Sequence, residues 1–371
     1  MSVKDRIIQY NPEGNFRLIA ISDIHGGARL FEDLIEKVKL QDKDFLVILG
    51  DSIEKGENSS EMFKILKKLK SRENTFILTG NNDTYVFELL SIKENSQKLL
   101  EYLKSKTYPS ILDEWTKEVK LNIENLDNGE IIQQGLAKEK KGDIDFLAML
   151  PVALEFDNFI FVHAGIEKIK EWKNSSEDTL LACREFYKQG HLVNKYVVVG
   201  HWPVSNYKQD SLNGDIIFDE EKKIICIDGG YALKNTGQIN ALIIEKNNNN
   251  YTYDFQQVDD FSNYIVIENQ KGAKNKPLKL GWPNNLIEII ERRDEFSLCR
   301  RLDNNEEINI KNEFIYKNGD KYFCSEDYFE YFLDVKMGEA IKVVKVYGNY
   351  ALAKVNSDFG WINKDKIINK I

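Results

Sequence analysis

Three apolar runs near the N-terminus, FRLIAISD, DFLVILGD and TFILTGN, each end in Asp or Asn beside a Gly or Ser. Between them lie LFEDLIEKVKL and EMFKILKKLK, whose apolar residues recur at helical spacing. Continuously apolar runs are buried on both faces, and their alternation with helices specifies β-α-β units and a parallel sheet. Ligands collect at the carboxyl ends of such strands, where these polar residues stand. From about Tyr85 to Lys141 the pattern turns helical and charged, as in QKLLEYLKSK and ILDEWTKEVKLNIENL, and reads as an inserted helical cap. Strands resume with NFIFVHAG, KYVVVGH, KIICIDGG and QINALIIE, and the run KNNNN at 246–250 reads as a domain boundary.

The strand ends carry a coherent set of metal-binding groups. Asp23 and His25 flank Ile24, so an extended segment would project both side chains to one face. Asp51 ends the next strand, Asn81 the third, and His163 and His201 later ones. Two carboxylates, three imidazoles and an amide oxygen suit Mn, Fe or Zn rather than a thiophilic ion. The chain has four histidines, and three fall at strand ends. His191, in YKQGHLVNK, fits no such pattern and reads as a surface residue.

The 371 residues leave room for two or three domains, and the net charge of −9 argues against a nucleic-acid partner. No signal-peptide core or run of about 18 apolar residues occurs. Cys183, Cys226, Cys299 and Cys324 are too scattered for a zinc ribbon or disulfide ladder, which fits a reducing cytoplasm and no membrane.

From about Arg17 to Ile244 the motifs SDIHGG, LGDSIEKG, TGNND, FVHAGI, VVVGHWP and CIDGG resemble, in order and spacing, the calcineurin-like metallophosphoesterases. The resemblance is to the phosphoprotein phosphatase branch, with its diadenosine-tetraphosphate hydrolases. It implies an α/β fold, a four-layered αββα sandwich, with two divalent ions at the strand ends, manganese first among Mn, Fe and Zn. Asp23 and His25 would bind the first ion, Asp51 would bridge both, and Asn81, His163 and His201 would complete the second. A water shared by two such ions becomes acidic enough to act as the hydroxide that attacks phosphorus. Substrates implied are a phosphorylated small molecule, a nucleotide or a phosphoprotein. Lys55 stands where the family usually has a phosphate-gripping arginine, and Arg184, in LLACREFY, is the candidate for a second. The glycines of HAGI and GHWP are expected to permit close backbone approach to the metals.

The chain departs from the family at the third strand, where Gly-Asn-His-Glu or Gly-Asn-His-Asp becomes Gly80-Asn81-Asn82-Asp83. Asn82 replaces the histidine thought to protonate the leaving oxygen, and Glu54 replaces the aspartate that orients it. Asp51, Asn82 and Glu54 are thus the catalytic candidates, and Lys55, Arg184 and Asn82 the phosphate-binding ones. Losing a positioned acid costs about 100- to 10,000-fold, most for alkoxide leaving groups. The expectation is a phosphoesterase favouring diesters, anhydrides or aryl esters. The alternatives are a metal-binding scaffold of weakened activity and a protein-phosphatase-like module docking a peptide.

After residue 250, IEIIERRDEFSLCRRL from Ile287 and IKVVKVYGNYALAKVN from Ile341 form an internal repeat of alternating strands around a tight turn. The second continues into DFGWINKDKI. These features resemble bacterial SH3-like domains, assigned to 251–320 and 321–371 after a phosphoesterase domain of 1–250. Aromatic and basic residues on the repeats could dock a peptide or protein partner.

Overall fold

In the computed structural model, which describes residues 2–124, 126–272 and 279–370, the chain divides into two units. The first runs to Pro203 and includes Ile216–Leu233 and Gln238–Val258. Strands β1 (Ile7–Tyr10), β2 (Phe16–Ile21), β3 (Phe45–Ile48), β4 (Thr75–Ile77), β5 (Ala153–Phe156), β6 (Phe159–Val162), β7 (Tyr196–Val199), β8 (Ile217–Asp219), β9 (Ile224–Cys226), β10 (Ile239–Asn247) and β11 (Asn250–Val258) form two mixed sheets, ordered β1-β5-β6-β7-β9-β8 and β11-β10-β2-β3-β4. As the apolar runs specify, β2, β3 and β4 pair in parallel.

The side-chain period of two divides each run between two cores. Leu18 and Ala20 of β2, Val47 of β3, and Leu242 and Ile244 of β10 pack with Leu154, Phe156, Phe159, Phe161, Val198 and Ile225 of the other sheet. Their neighbours Ile19, Ile21, Leu46, Ile48, Ile77, Ala241 and Ile243 face the opposite way. There they meet the apolar sides of α1 (Ala28–Val38), α2 (Ser59–Lys70) and the helical insertion. A strand that is apolar throughout therefore serves a sheet–sheet and a sheet–helix layer at once.

The insertion is wider than 85–141. It comprises α3 (Asn81–Ser91), α4 (Ser96–Ser105), α5 (Ile111–Glu118), α6 (Gly129–Glu139) and α7 (Lys141–Ala148). Asn81 is the first residue of α3, not the last of a strand, because Gly80 caps the helix and Asp83 accepts the Gly80 N–H at 2.9 Å. The asparagine run at 247–250 is no boundary either. It turns the β10–β11 hairpin, with Asn248 at φ 58°, and the unit continues to Val258.

The second unit takes in Val204–Asp215, Lys234–Gly237 and Asp259–Ile371. It contains β12 (Ser262–Val266), β13 (Leu286–Glu291), β14 (Phe296–Arg301), β15 (Glu307–Lys311), β16 (Ile315–Asn318), β17 (Lys321–Cys324), β18 (Ala340–Tyr347), β19 (Tyr350–Val355), β20 (Asp358–Asn363) and β21 (Ile367–Asn369). They form two five-stranded antiparallel sheets, ordered β15-β14-β13-β17-β16 and β20-β19-β18-β12-β21. The repeat is real in three dimensions: each hairpin carries a bulge at the matching place, between Ile289 and Glu291 and between Val343 and Lys345. Each third strand leads through a 3-10 turn to a further strand.

The domain limits at 320/321 do not hold, because β17 belongs to the first sheet and β12 to the second. The place that β12 fills from before its hairpin is filled in the first sheet by β17 from after it, so the copies are circularly permuted. The aromatics offered as a docking face turn inward. Phe296 lies 5.0 Å from Tyr350 and 5.9 Å from Trp361, and Tyr347 lies 5.7 Å from Trp361. The basic residues are paired as well, Arg300 with Glu288 and Arg301 with Asp303.

Phe156 sits at the centre of the sheet–sheet layer, fully buried, with the rings of Phe45, Phe16 and Tyr10 at 4.9, 5.2 and 5.5 Å. Phe156→Ala should lower the unfolding free energy by about 3–5 kcal/mol, read from urea denaturation. Phe156→Leu should cost less. A loss under about 1 kcal/mol for the alanine variant would mean that the layer closes around the cavity.

Candidate metal centre

Groups distant in sequence reach one point because strand ends of both sheets meet there. Asp23 and Asp51 follow β2 and β3, Asn81 opens α3 after β4, and His163 and His201 follow β6 and β7. Backbone bonds tie the loops together. The Asp23 N–H donates to the Gly50 carbonyl at 3.2 Å, His25 N–H to Asp51 at 2.9 Å, and Gly200 N–H to His163 at 2.8 Å.

Asp23 and His25 are not on an extended segment. Both are left-handed, at φ 53° and 46°, as are Asp51 (48°), Glu54 (74°), Lys55 (73°) and His201 (63°). Each such non-glycine residue costs roughly 1–3 kcal/mol and persists where its surroundings over-determine it. These left-handed residues redirect the chain, so that the side chains of Asp23, His25, Asp51 and His201 converge within a few residues of their strand ends. Gly80 and Gly200 are required by close approach, since a Cβ at Gly80 would collide with Asp51 and one at Gly200 with Ser22 and Asp23. The glycine of HAGI has another cause: Gly165 is packed against the Phe186 ring.

Two triads result, Asp23–His25–Asp51 and Asp51–His163–His201, each with its ligand atoms within 4.8 Å of one another. Asp51 belongs to both. His25 Nε2 lies 3.9 Å from Asp23 Oδ1 and 4.0 Å from Asp51 Oδ2, and His163 Nε2 lies 3.5 Å from Asp51 Oδ1. Asn81 Oδ1 joins the second triad, 3.0 Å from His163 Nε2 and 2.9 Å from His201 Nδ1. All six expected ligands are brought together.

The arrangement of donors and acceptors is one that a cation could complete. His163 Nδ1 lies 2.9 Å from the Leu49 carbonyl and can only donate to it. In the neutral ring Nε2 then presents a lone pair to Asn81 Oδ1 and Asp51 Oδ1. Ser22 and the His201 N–H both bind Asp23 Oδ2, leaving Oδ1 buried without a partner, while His25 interacts with the Glu54 backbone and directs Nε2 towards Asp23 and Asp51. Buried acceptors facing one another are costly unless a cation lies among them. Burial lowers His25 to about 4 and His201 to about 3, keeping both rings neutral and ready to ligate. Burial, then the Asp51 charge, raises Asp23 to about 8. Burial also opposes ionisation of Asp51, but His163, His25, Lys55 and His201 outweigh it and hold that carboxyl at about 2.

Asn82 holds the shared carboxylate. Its backbone N–H donates to Asp51 Oδ1 at 2.8 Å, and its side-chain amide donates to Oδ2. Glu54 does not meet Asn82. Its buried carboxylate takes bonds from the Tyr102 hydroxyl, the Ser110 hydroxyl at 2.7 Å and the Ile111 N–H at 2.8 Å, all in the insertion. The Lys55 charge acts on Asp23, His25, Asp51 and His201. Arg184 is exposed, and its guanidinium makes no hydrogen bond or ion pair among the described residues. His191 is half-buried rather than superficial, stacked 6.1 Å from Phe186 with Nε2 3.1 Å from the Lys223 carbonyl.

Two buried acids escaped the motif reading. Asp83 accepts the N–H groups of Gly80, Ser52 and Ile53, pinning the Asp51 loop to α3. Asp228 accepts the Gly230 N–H at 2.7 Å through Oδ1, while Oδ2 has no partner. Burial and then the Asp23 charge push Asp228 well above the usual carboxylate range. The strand-end rule that picks out Asp23 two residues after β2 would also have found Asp228, two after β9.

Residues 16–231 match the family model for calcineurin-like phosphoesterases. The chain is 40% identical over 80 residues to a symmetrical bis(5'-nucleosyl)-tetraphosphatase of Buchnera aphidicola from Acyrthosiphon pisum, covering 21% of this chain and 28% of that one. It is 32% identical over 129 residues to the corresponding protein of Buchnera from Schizaphis graminum, covering 34% and 46%. The chain thus spans less than half the length of these curated relatives. A solved serine/threonine phosphatase of Saccharomyces cerevisiae aligns with a TM-score of 0.44 at 14% identity, over 70% of this chain and 86% of that one. With more than half of its length matched to one family model, the chain belongs to the calcineurin-like phosphoesterases.

Proposed function

We propose that the protein is a two-metal phosphoesterase that hydrolyses a phosphate ester or anhydride. The observation that carries this reading is the pair of triads that share Asp51, with Asp23 Oδ1 buried and unpartnered among them. Asp23, His25 and Asp51 would hold one divalent ion, and Asp51, Asn81, His163 and His201 the other, with manganese first among Mn, Fe and Zn. Such ions, when bound, acidify the attacking water and neutralise charge on the phosphoryl oxygens.

The chain's own groups supply the rest. Lys55 adds positive charge, as a point rather than a bidentate fork. Asn82 is retained as a phosphate contact at the start of α3, where the helix dipole favours an anion, through the side-chain N–H that Asp51 does not take. Arg184 is retained as a second phosphate contact. In-line attack forms the new P–O bond as the leaving oxygen departs with the electron pair. Residue 82 has no acidic proton to give that oxygen, and Glu54 is engaged by the insertion. The leaving group must therefore be a stable anion, which favours diesters, anhydrides and aryl esters over alkyl monoesters. The Buchnera relatives, named as tetraphosphatases, support the anhydride choice. The two C-terminal sheets, with their bulged hairpins and Gly-Trp strand, are taken as SH3-like domains, with no partner assigned. Four unpaired thiols agree with a cytoplasmic location, and no helix among the described residues is long and apolar enough to cross a membrane. The competing reading, a metal-binding scaffold, draws on the way Asn82 occupies both oxygens of Asp51.

The metal-stripped protein should take up two Mn²⁺ per chain and hydrolyse bis-p-nitrophenyl phosphate faster than a phosphoserine peptide. Faster release of phosphate from the peptide would overturn the leaving-group argument; two bound ions without turnover of any phosphate compound would favour the scaffold. Asp51→Asn should lower kcat on the order of 1,000-fold or more, because both ions would lose a shared ligand and with it several kcal/mol of transition-state charge stabilisation.

Metal binding should also release a proton. Asp23, raised to about 8, is protonated at pH 7 in the metal-free protein and must ionise to ligate. Calorimetry in buffers of different ionisation enthalpy should show that release at pH 7 and its decline above pH 8. Asp23→Asn should reduce the dependence on buffer by the proton that Asp23 carries, leaving what metal-bound water releases. Identical proton release in that variant would assign the proton to another group.

A further inference from the structure

The helical insertion brings three tyrosines together. Tyr85 on α3 meets Tyr102 on α4 edge to face, with ring centroids 5.5 Å apart at 78°. Tyr108, just after α4, lies 6.2 Å from Tyr102 at 64°. Two of the rings have structural work. Tyr102 packs on the helical core and donates its hydroxyl to Glu54, while the Tyr108 segment is tied down by the Lys55 N–H, which donates to the Pro109 carbonyl at 3.0 Å. Tyr85 has no such work. It is 40% exposed, lies outside the apolar cluster formed by the helical insertion, and its hydroxyl has no hydrogen-bond partner among the described residues.

Its position on the helix is nonetheless specific. Tyr85 stands four residues after Asn81 and three after Asn82, on the same helical face, where Cβ atoms are roughly 5–6 Å apart. Long helical side chains lean back toward the N-terminus, over the residues three and four earlier. Here those residues are a candidate ligand and the amide that holds Asp51. On the other side, Tyr102 is bonded to Glu54, whose neighbour Lys55 directs charge at the centre.

We propose that Tyr85, supported edge-on by Tyr102 and Tyr108, is a specificity-determining residue that stacks on a planar aromatic group carried by the substrate phosphate. The proposal rests on the phosphoesterase reading and narrows its substrate class. The ring is either a nucleobase or an aryl leaving group, which share a flat π face. A π-face contact of this kind tolerates many ring identities and adds affinity without touching the reacting atoms.

Binding to the Mn²⁺-loaded protein tests it, using AMP as the nucleobase probe, phenylphosphonate as the aryl probe and methylphosphonate as the ring-free control. Tyr85→Ala should weaken one or both ring-bearing probes by about 5- to 100-fold, leave methylphosphonate unchanged, and leave the circular dichroism spectrum intact. Tyr85→Phe should bind as wild type. Loss for AMP alone identifies a nucleobase, and loss for phenylphosphonate an aryl ester. Equal weakening of all three probes, or of none, overturns the proposal. If the wild-type protein binds no probe at all, the phosphate site itself fails, which is a separate result from a ring-independent Tyr85.

Discussion

Two carboxylates, three imidazoles and an amide oxygen are held around one largely buried point, and this electrostatic problem organises the first unit. Asp51 is at its centre because it faces both triads. Holding it there requires Gly80 to pass without a side chain and Asp83 to fasten the Asp51 loop to α3. The left-handed residues are part of the same solution. A relaxed backbone would continue past the strand end and carry the ligands away from each other.

The candidate ligands at the strand ends are legible because burial on both faces leaves a simple signature, and polar residues at the ends of such runs are conspicuous. The six candidate ligands follow from that signature and from the family resemblance. Backbone conformation was not legible. Asp-Ile-His reads as two side chains on one face of a strand, but both residues adopt a conformation that sequence alone does not favour for them. The partner of Glu54 was hidden for another reason: it lies about 50 residues away in the insertion, whose packing no local pattern encodes. Asp83 and Asp228 were visible in quoted motifs, but their importance comes from burial beside other charges.

The C-terminal unit shows the limit of reading repeats as consecutive modules. The matching hairpins were found from their alternation, and the bulges confirm the register. The strand completing each sheet is chosen by tertiary pairing, and the two copies draw it from opposite ends. The inward turn of Phe296, Tyr347 and Tyr350 follows from sharing a core with Trp361, a constraint invisible in either hairpin alone.

That permutation has a temporal side. During synthesis, the strand at Ser262–Val266 leaves the ribosome well before its partner, since Tyr264 pairs with Ile341 roughly 80 residues later. At ordinary elongation rates this is a wait of roughly 4–16 s. The intervening 286–324 sheet is built from neighbouring hairpins and can close in far less time. The nascent chain therefore carries this strand edge unpaired through the birth of a finished sheet, and an edge held open for that long needs protection from other chains.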